Sequence, residues 1–126
     1  MPKVVPALPG TETSEYPFSQ VVEANGLVFL AGQVGGVPGG HRAAPGGIEA
    51  ETTQMLENVG RLLRSVGLDY GDVVRSTVYL VDFDDFAAMN AVYRRYFPTD
   101  PPARATVGVT RLAADYRIEI EVTAAR

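Results

Sequence analysis

The sequence predicts an α+β fold, a single domain in which two helices cover one face of a sheet. Three observations carry this. Short apolar stretches alternate with period two, as in Ile118-Glu119-Ile120-Glu121-Val122. Two longer stretches repeat apolar residues at helical spacing. Between Phe18–Glu23 and Leu27–Ala31 stands Asn25-Gly26, a strong hairpin signal, because both central positions of a type I′ turn require positive φ. A chain of 126 residues holds one good core and not two, so the domain runs over 1–126.

Taken in order, residues 1–17 are rich in Pro, Thr and Glu and read as irregular. Phe18 to Glu23 and Leu27 to Ala31 are the hairpin strands. The stretch GQVGGVPGGHRAAPGG holds seven glycines and two prolines and reads as a loop. From Ile48, the residues Met55, Leu56, Val59, Leu62, Leu63 and Val66 make one apolar stripe. Glu49 and Glu51 near its start and Arg61 and Arg64 near its end suit the helix dipole, and Gly67 suits a left-handed cap. Val73 to Val81 is a strand of β-branched residues. A second helix spans about 84–97. Asp82 or Asp84 caps it, Phe86, Met89, Val92, Tyr93 and Tyr96 or Phe97 form its stripe, and Pro98 stops it. Strands at roughly 103–110 and 117–124 complete the order β-β-α-β-α-β-β.

Alternation then sorts the last two strands. Ile118, Ile120 and Val122 point to the helix-covered core, and Glu119 and Glu121 point away. Ala105, Val107 and Val109 oppose Arg104, Thr106 and Gly108. The expectation is that Arg104, Thr106, Glu119 and Glu121 share the face without helices, which solvent or another subunit must cover.

Composition narrows the chemistry. A net charge of −4 argues against a nucleic-acid partner, which calls for a basic stripe. No apolar run approaches the roughly 18 residues of a membrane span. The opening MPKVVPALPG lacks a signal-peptide core, so the expected location is cytoplasmic. The absence of cysteine excludes disulfides and thiolate catalysis. A lone histidine, His41, in the glycine loop reads as a solvated residue, and the loop lacks the spacing of a phosphate cradle. No metal or cofactor is expected.

Arg104 next to two glutamates admits an ordinary reading, an exposed charge pairing of about 0–1 kcal/mol. Against this, Pro101-Pro102-Ala103 fixes the lead into the strand and leaves small neighbours around a guanidinium suited to bidentate capture of a carboxylate. Asn90 lies beside the apolar stripe of the second helix, where a bridging role is the ordinary alternative. Tyr79, Tyr93 and Tyr96 read as core or rim aromatics. Gly32-Gln33 ends a strand and exposes a backbone N–H to a ligand.

Together these residues resemble a known family. Phe18-Ser19-Gln20, Leu27-Val28-Phe29-Leu30-Ala31-Gly32-Gln33, Pro45-Gly46-Gly47-Ile48-Glu49-Ala50, Asn58, Val78-Tyr79-Leu80, Asp85-Phe86, Asn90, Pro102-Ala103-Arg104 and Ile118-Glu119-Ile120-Glu121 are similar to the RidA/YjgF (Rid) family from about residue 17 onward. The resemblance implies a chorismate-mutase-like fold, a homotrimer with sites in the clefts between subunits, and hydrolytic deamination of 2-imino and enamino acids such as 2-aminoacrylate. It implies that Arg104 grips the substrate carboxylate, that Glu119 positions the attacking water, and that Asn90, Gly32 and Thr106 line the site. Spacing alone leaves Glu119 and Glu121 open. The motif match selects Glu119.

Two positions depart from the family pattern. Phe18 and Ala31 stand where a tyrosine and a serine line the pocket in related deaminases. That implies fewer polar partners for the substrate and a preference for apolar imine side chains. Two other readings stay open: a module that binds small carboxylates or 2-oxo acids without turnover, and a ribonuclease, which the acidic charge disfavours.

Overall fold

A computed structural model of the chain describes residues 2–8 and 16–126. Its strands are β1 (Val21–Ala24), β2 (Leu27–Leu30), β3 (Gln33–Val34), β4 (Val73–Leu80), β5 (Ala103–Gly108) and β6 (Ile118–Ala125). Its helices are α1 (Gly47–Ser65) and α2 (Phe86–Tyr96). They form the mixed α+β fold expected, with one sheet ordered β1-β2-β6-β4-β5 and the short β3 also on β6. Every pairing is antiparallel except β4 with β5, which α2 joins as a crossover.

The hairpin forms as its dipeptide predicts, with φ of 53° at Asn25 and 79° at Gly26. The stripe of α1 buries Met55, Leu56, Val59 and Leu63, and α2 buries Met89 and Val92. Both pack on Val28, Val78, Leu80, Ile118 and Ile120 of the sheet, all fully buried. The opposite sheet face is open. Leu27, Phe29 and Val107 are about two-fifths exposed there, at 38%, 42% and 40%.

Local differences from the expected elements have local causes. β1 starts at Val21 because Phe18 is exposed and sits in a bend. The glycine loop hides β3, too short for any periodicity to announce. Phe29 faces Thr123 while Gln33 faces Ile120, so four steps of one chain run beside three of β6. That is a bulge at Ala31-Gly32. β5 ends at Gly108, and α2 begins only after a 3₁₀ turn, Phe83–Asp85, where the Asp82 side chain accepts the Asp84 amide at 2.9 Å. Of the irregular stretch expected over 1–17, residues 1 and 9–15 lie outside the described residues. Within 2–8, Val4 bridges Glu23 of β1 and Leu8 is buried.

One buried carboxylate ties the helices to the last strand. Glu51 of α1 is 2% exposed and accepts the amides of Arg117 at 2.7 Å and Ile118 at 3.3 Å. Burial pushes its carboxyl above the usual range, against the pull of those amides and of Arg117. The Arg117 guanidinium in turn grips both oxygens of Asp85, at 2.7 and 2.8 Å. Replacing Glu51 by leucine strands two amides at the start of β6. The expected loss is about 2–4 kcal/mol, read from chemical denaturation. Glu51→Gln keeps an acceptor oxygen and should lose less than half of that. Equal losses in both variants would remove the acceptor role.

Candidate functional site

The predicted site residues fall into two groups, and the sheet separates them. In the parallel β4–β5 register, Arg104 pairs with Ser76 and Thr106 with Val78, both buried under the helices. Arg104 therefore faces α2. Its guanidinium carbon lies 4.6 Å from the centre of the Tyr93 ring and 5.7 Å from that of Phe86, and Nη1 is 4.0 Å from Sδ of Met89. Among the described residues it has no carboxylate partner. It opens onto a cleft of about 270 Å³, lined by Asn90, Tyr93, Phe97, Pro101 and Pro102. The rigid Pro101-Pro102 segment and the first strand residues form one wall, and α2 forms the other.

In the antiparallel β4–β6 register, Glu119 pairs with Tyr79 and Glu121 with Thr77, on the open face. Arg104 and Glu119 thus lie on opposite faces of the sheet, which corrects the expectation that one face holds both. Alternation within a strand fixes relative facing only. Here β5 runs parallel to β4 at the sheet edge, and its even-numbered residues turn inward beside Ser76 and Val78, leaving Ala105 and Val107 on the glutamate side. Thr106 turns inward with Arg104, for the same reason.

The bulge at Ala31-Gly32 brings Gly32 against Glu119. A Cβ at position 32 would meet the end of the Glu119 side chain, so a larger residue there would have to displace the carboxylate from its present position. The Glu119 carboxylate makes no hydrogen bond or ion pair among the described residues. Desolvation first, and the charge of Glu121 second, raise its carboxyl above the ordinary 4.5. Glu121 differs. It is exposed and accepts a 2.5 Å bond from the Tyr79 hydroxyl. Of the two carboxylates that spacing left open, Glu119 is the one with free oxygens in a partly dry setting.

The remaining predicted residues are less engaged. Asn90 lines the Arg104 cleft. Ala31 is half-buried and donates its amide to the Gln20 carbonyl at 2.8 Å. Phe18 is 52% exposed and stacks on Tyr16, ring centres 5.9 Å apart. His41 is exposed, as expected of a loop residue. Asn58 holds the glycine loop by donating to the Val34 and Gly36 carbonyls at 2.9 and 2.8 Å. Sequence reasoning missed the surroundings of Arg104. Phe86, Met89 and Tyr93 sit three and four residues apart on one face of α2, a spacing that reads as an apolar stripe with Tyr93 at its core or rim, and that carries no sign of the cation it meets. The described residues contain no metal-holding cluster of His, Asp or Glu, and no helix among them is long and apolar enough to cross a membrane.

Comparison with known proteins agrees with the residue pattern. A family model described as Endoribonuclease L-PSP matches residues 11–126. The chain is 42% identical over 108 residues to Reactive Intermediate Deaminase A, chloroplastic, of Arabidopsis thaliana, covering 86% of this chain and 58% of that relative. It therefore spans little more than half the length of the plant protein. It is 40% identical over 108 residues to the 2-iminobutanoate/2-iminopropanoate deaminase of Mus musculus, covering 86% of this chain and 80% of the mouse protein. Among solved structures, E. coli TdcF with bound serine superposes with a TM-score of 0.83 at 34% identity, over 90% of this chain and 91% of that one. The Rid-family protein YyfA of Yersinia pestis superposes with a TM-score of 0.90 at 29% identity, over 99% of this chain and all of that one (100%).

Proposed function

Because this chain belongs to the Endoribonuclease L-PSP family, the YjgF/RidA family, we propose that it hydrolyses reactive 2-imino acids and their enamine tautomers, such as 2-aminoacrylate, to 2-oxo acids and ammonia. The observation that carries this reading is the pair of half-sites: an arginine fork in a cleft with no carboxylate partner among the described residues, and a half-buried carboxylate with no hydrogen-bond partner among them. On opposite faces of one sheet they cannot serve one small substrate. Brought together from neighbouring subunits they can, so the working form is a symmetric oligomer, a homotrimer by family resemblance. The exposed Leu27, Phe29 and Val107 give the open face apolar surface to bury on assembly.

The chemistry asks little of the protein. A protonated imine carbon is already electrophilic. Arg104 holds the substrate carboxylate, with Asn90 beside it. Glu119 of a neighbouring subunit orients a water within roughly 3 Å of the imine carbon and accepts its proton as the C–O bond forms. The carbinolamine then collapses: the proton passes from Glu119 to the amino group, the C–N bond breaks as the hydroxyl oxygen becomes the carbonyl, and the hydroxyl proton leaves with ammonia as ammonium. Glu119 ends as it began, and no covalent intermediate is needed.

The test is a coupled deaminase assay on imines generated from several amino acids. Absence of turnover beside tight 2-oxo acid binding would favour the binding-module reading, which the missing hydroxyls at Phe18 and Ala31 keep in view. Although the family description names an endoribonuclease, the net charge of −4 disfavours a phosphate-rich substrate.

Glu119 gives this reading a pH signature. Only the ionised carboxylate can accept the proton, so kcat/KM falls as pH drops through its pKa. Because that pKa is raised, the acid limb lies above the ordinary carboxylate value. Glu121→Gln removes the neighbouring charge and should move the limb to lower pH at a cost below about tenfold in rate. Glu119→Gln should remove the limb with about 10²–10⁴-fold of the rate. The reverse ranking of the two variants would assign the base to Glu121.

A further inference from the structure

We propose that Tyr93 is the positioning residue for Arg104, its ring serving as the platform that aims an unneutralised guanidinium into the cleft; the inference rests on the carboxylate-binding role proposed for Arg104. Two arrangements could steady an arginine at this place. A carboxylate partner would fix the fork but would occupy its N–H groups and cancel its charge, leaving little for a ligand. An aromatic face attracts the cation through its quadrupole and leaves the edge N–H groups directed outward. The structure has the second arrangement. The guanidinium sits 4.6 Å from the Tyr93 ring centre, with Phe86 at 5.7 Å and Met89 Sδ at 4.0 Å of Nη1.

The platform is itself held. Tyr93 is 6% exposed, and its hydroxyl shares a 2.7 Å hydrogen bond with the Ser76 hydroxyl on β4. Ser76 is the register partner of Arg104, so one hydroxyl pair ties the ring to the strand beside the arginine it supports. Phe97 packs against the same ring, ring centres 4.7 Å apart and planes tilted by 39°. Arg104 therefore needs little reorganisation when an anion arrives, and its role as a clamp follows from groups that never touch the ligand.

The experiment compares Tyr93→Leu, Tyr93→Phe and Phe86→Leu with the wild-type oligomer, measuring the Kd for 2-oxobutanoate and both kcat and KM for its imine, with thermal unfolding as control. Tyr93→Leu should raise Kd and KM about tenfold with kcat changed less than about threefold. Tyr93→Phe keeps the ring and should recover affinity to within about threefold of wild type. Equal losses in the phenylalanine and leucine variants, or a fall in kcat with Kd unmoved, would overturn the platform. If Tyr93→Leu does not fold, Phe86→Leu reads the same effect at about two- to fivefold in Kd, and an unchanged Kd there overturns the proposal. A wild type that neither binds 2-oxobutanoate nor turns over its imine would instead refute the function on which the inference rests.

Discussion

Arg104→Ala should lower kcat/KM for 2-imino acids by about 2–4 kcal/mol of transition-state stabilisation, the worth of a charge-assisted bidentate contact. Lysine at the same position should recover little, since an ammonium offers a point charge in place of a planar fork and stacks less well on the Tyr93 and Phe86 rings. The fold should tolerate the change. Arg104 has no ion-pair partner among the described residues and lies on the edge strand β5, so the loss of stability should stay near 1 kcal/mol. Steady-state kinetics with a thermal melt on the same preparation checks both halves. Unchanged kinetics in the alanine variant would remove Arg104 from the site.

Two inactive variants should restore activity when mixed. Arg104 faces α2 and Glu119 faces the open side of the sheet, so one chain cannot present both to one small molecule. If the arginine of one subunit meets the glutamate of the next, Arg104→Ala and Glu119→Gln chains co-refolded in equal amounts will form sites with both residues intact. Random assembly of a cyclic oligomer gives such sites about one quarter of the time, and another quarter lack both residues. The expected recovery is about a quarter of wild-type activity per site, from two preparations each nearly inactive. No recovery after verified subunit exchange would place both residues in one subunit's site, or exclude one of them from catalysis. A monomer at micromolar concentration by light scattering would count against the shared site altogether.

Much of this was legible in the residues. Periodicity gave the two helices and the alternation of β6, because local spacing determines which side chains face a core, and the Asn25-Gly26 dipeptide gave the turn, because both residues accept positive φ. Motif order pointed to Arg104, Asn90, Gly32 and Glu119 as functional. What failed was the relation between strands. Whether Arg104 lies on the same side as Glu119 depends on how β5 registers against β4, a parallel pairing set by the α2 crossover and invisible in either strand alone. The bulge that presses Gly32 on Glu119 is equally non-local, since it exists only as a mismatch with β6. Tyr93 lies in the core as its spacing predicts, and it carries the Arg104 cation as well. A ring that supports a cation and a ring that fills a core have the same helical spacing, and only the partner distinguishes them.

The place of β6 in the sheet bears on how the chain reaches its folded state. It comes last in sequence yet pairs with β2, β3 and β4, while the carboxylate of Glu51 waits on α1 for its first amides. Until residues 118–125 arrive, the β1–β2 hairpin and the β4–α2–β5 unit have no strand between them, and each exposes unpaired edges and the apolar face meant for the helices. Closing the sheet is thus a late, long-range event, with the slow rate that distant contacts impose. A nascent chain held short of β6 would carry two sticky fragments and would lack Glu119, which β6 supplies. The setting of Glu119 and escape from aggregation are therefore gained in the same step, when the final strand slides between its neighbours, and assembly with other subunits can only follow it.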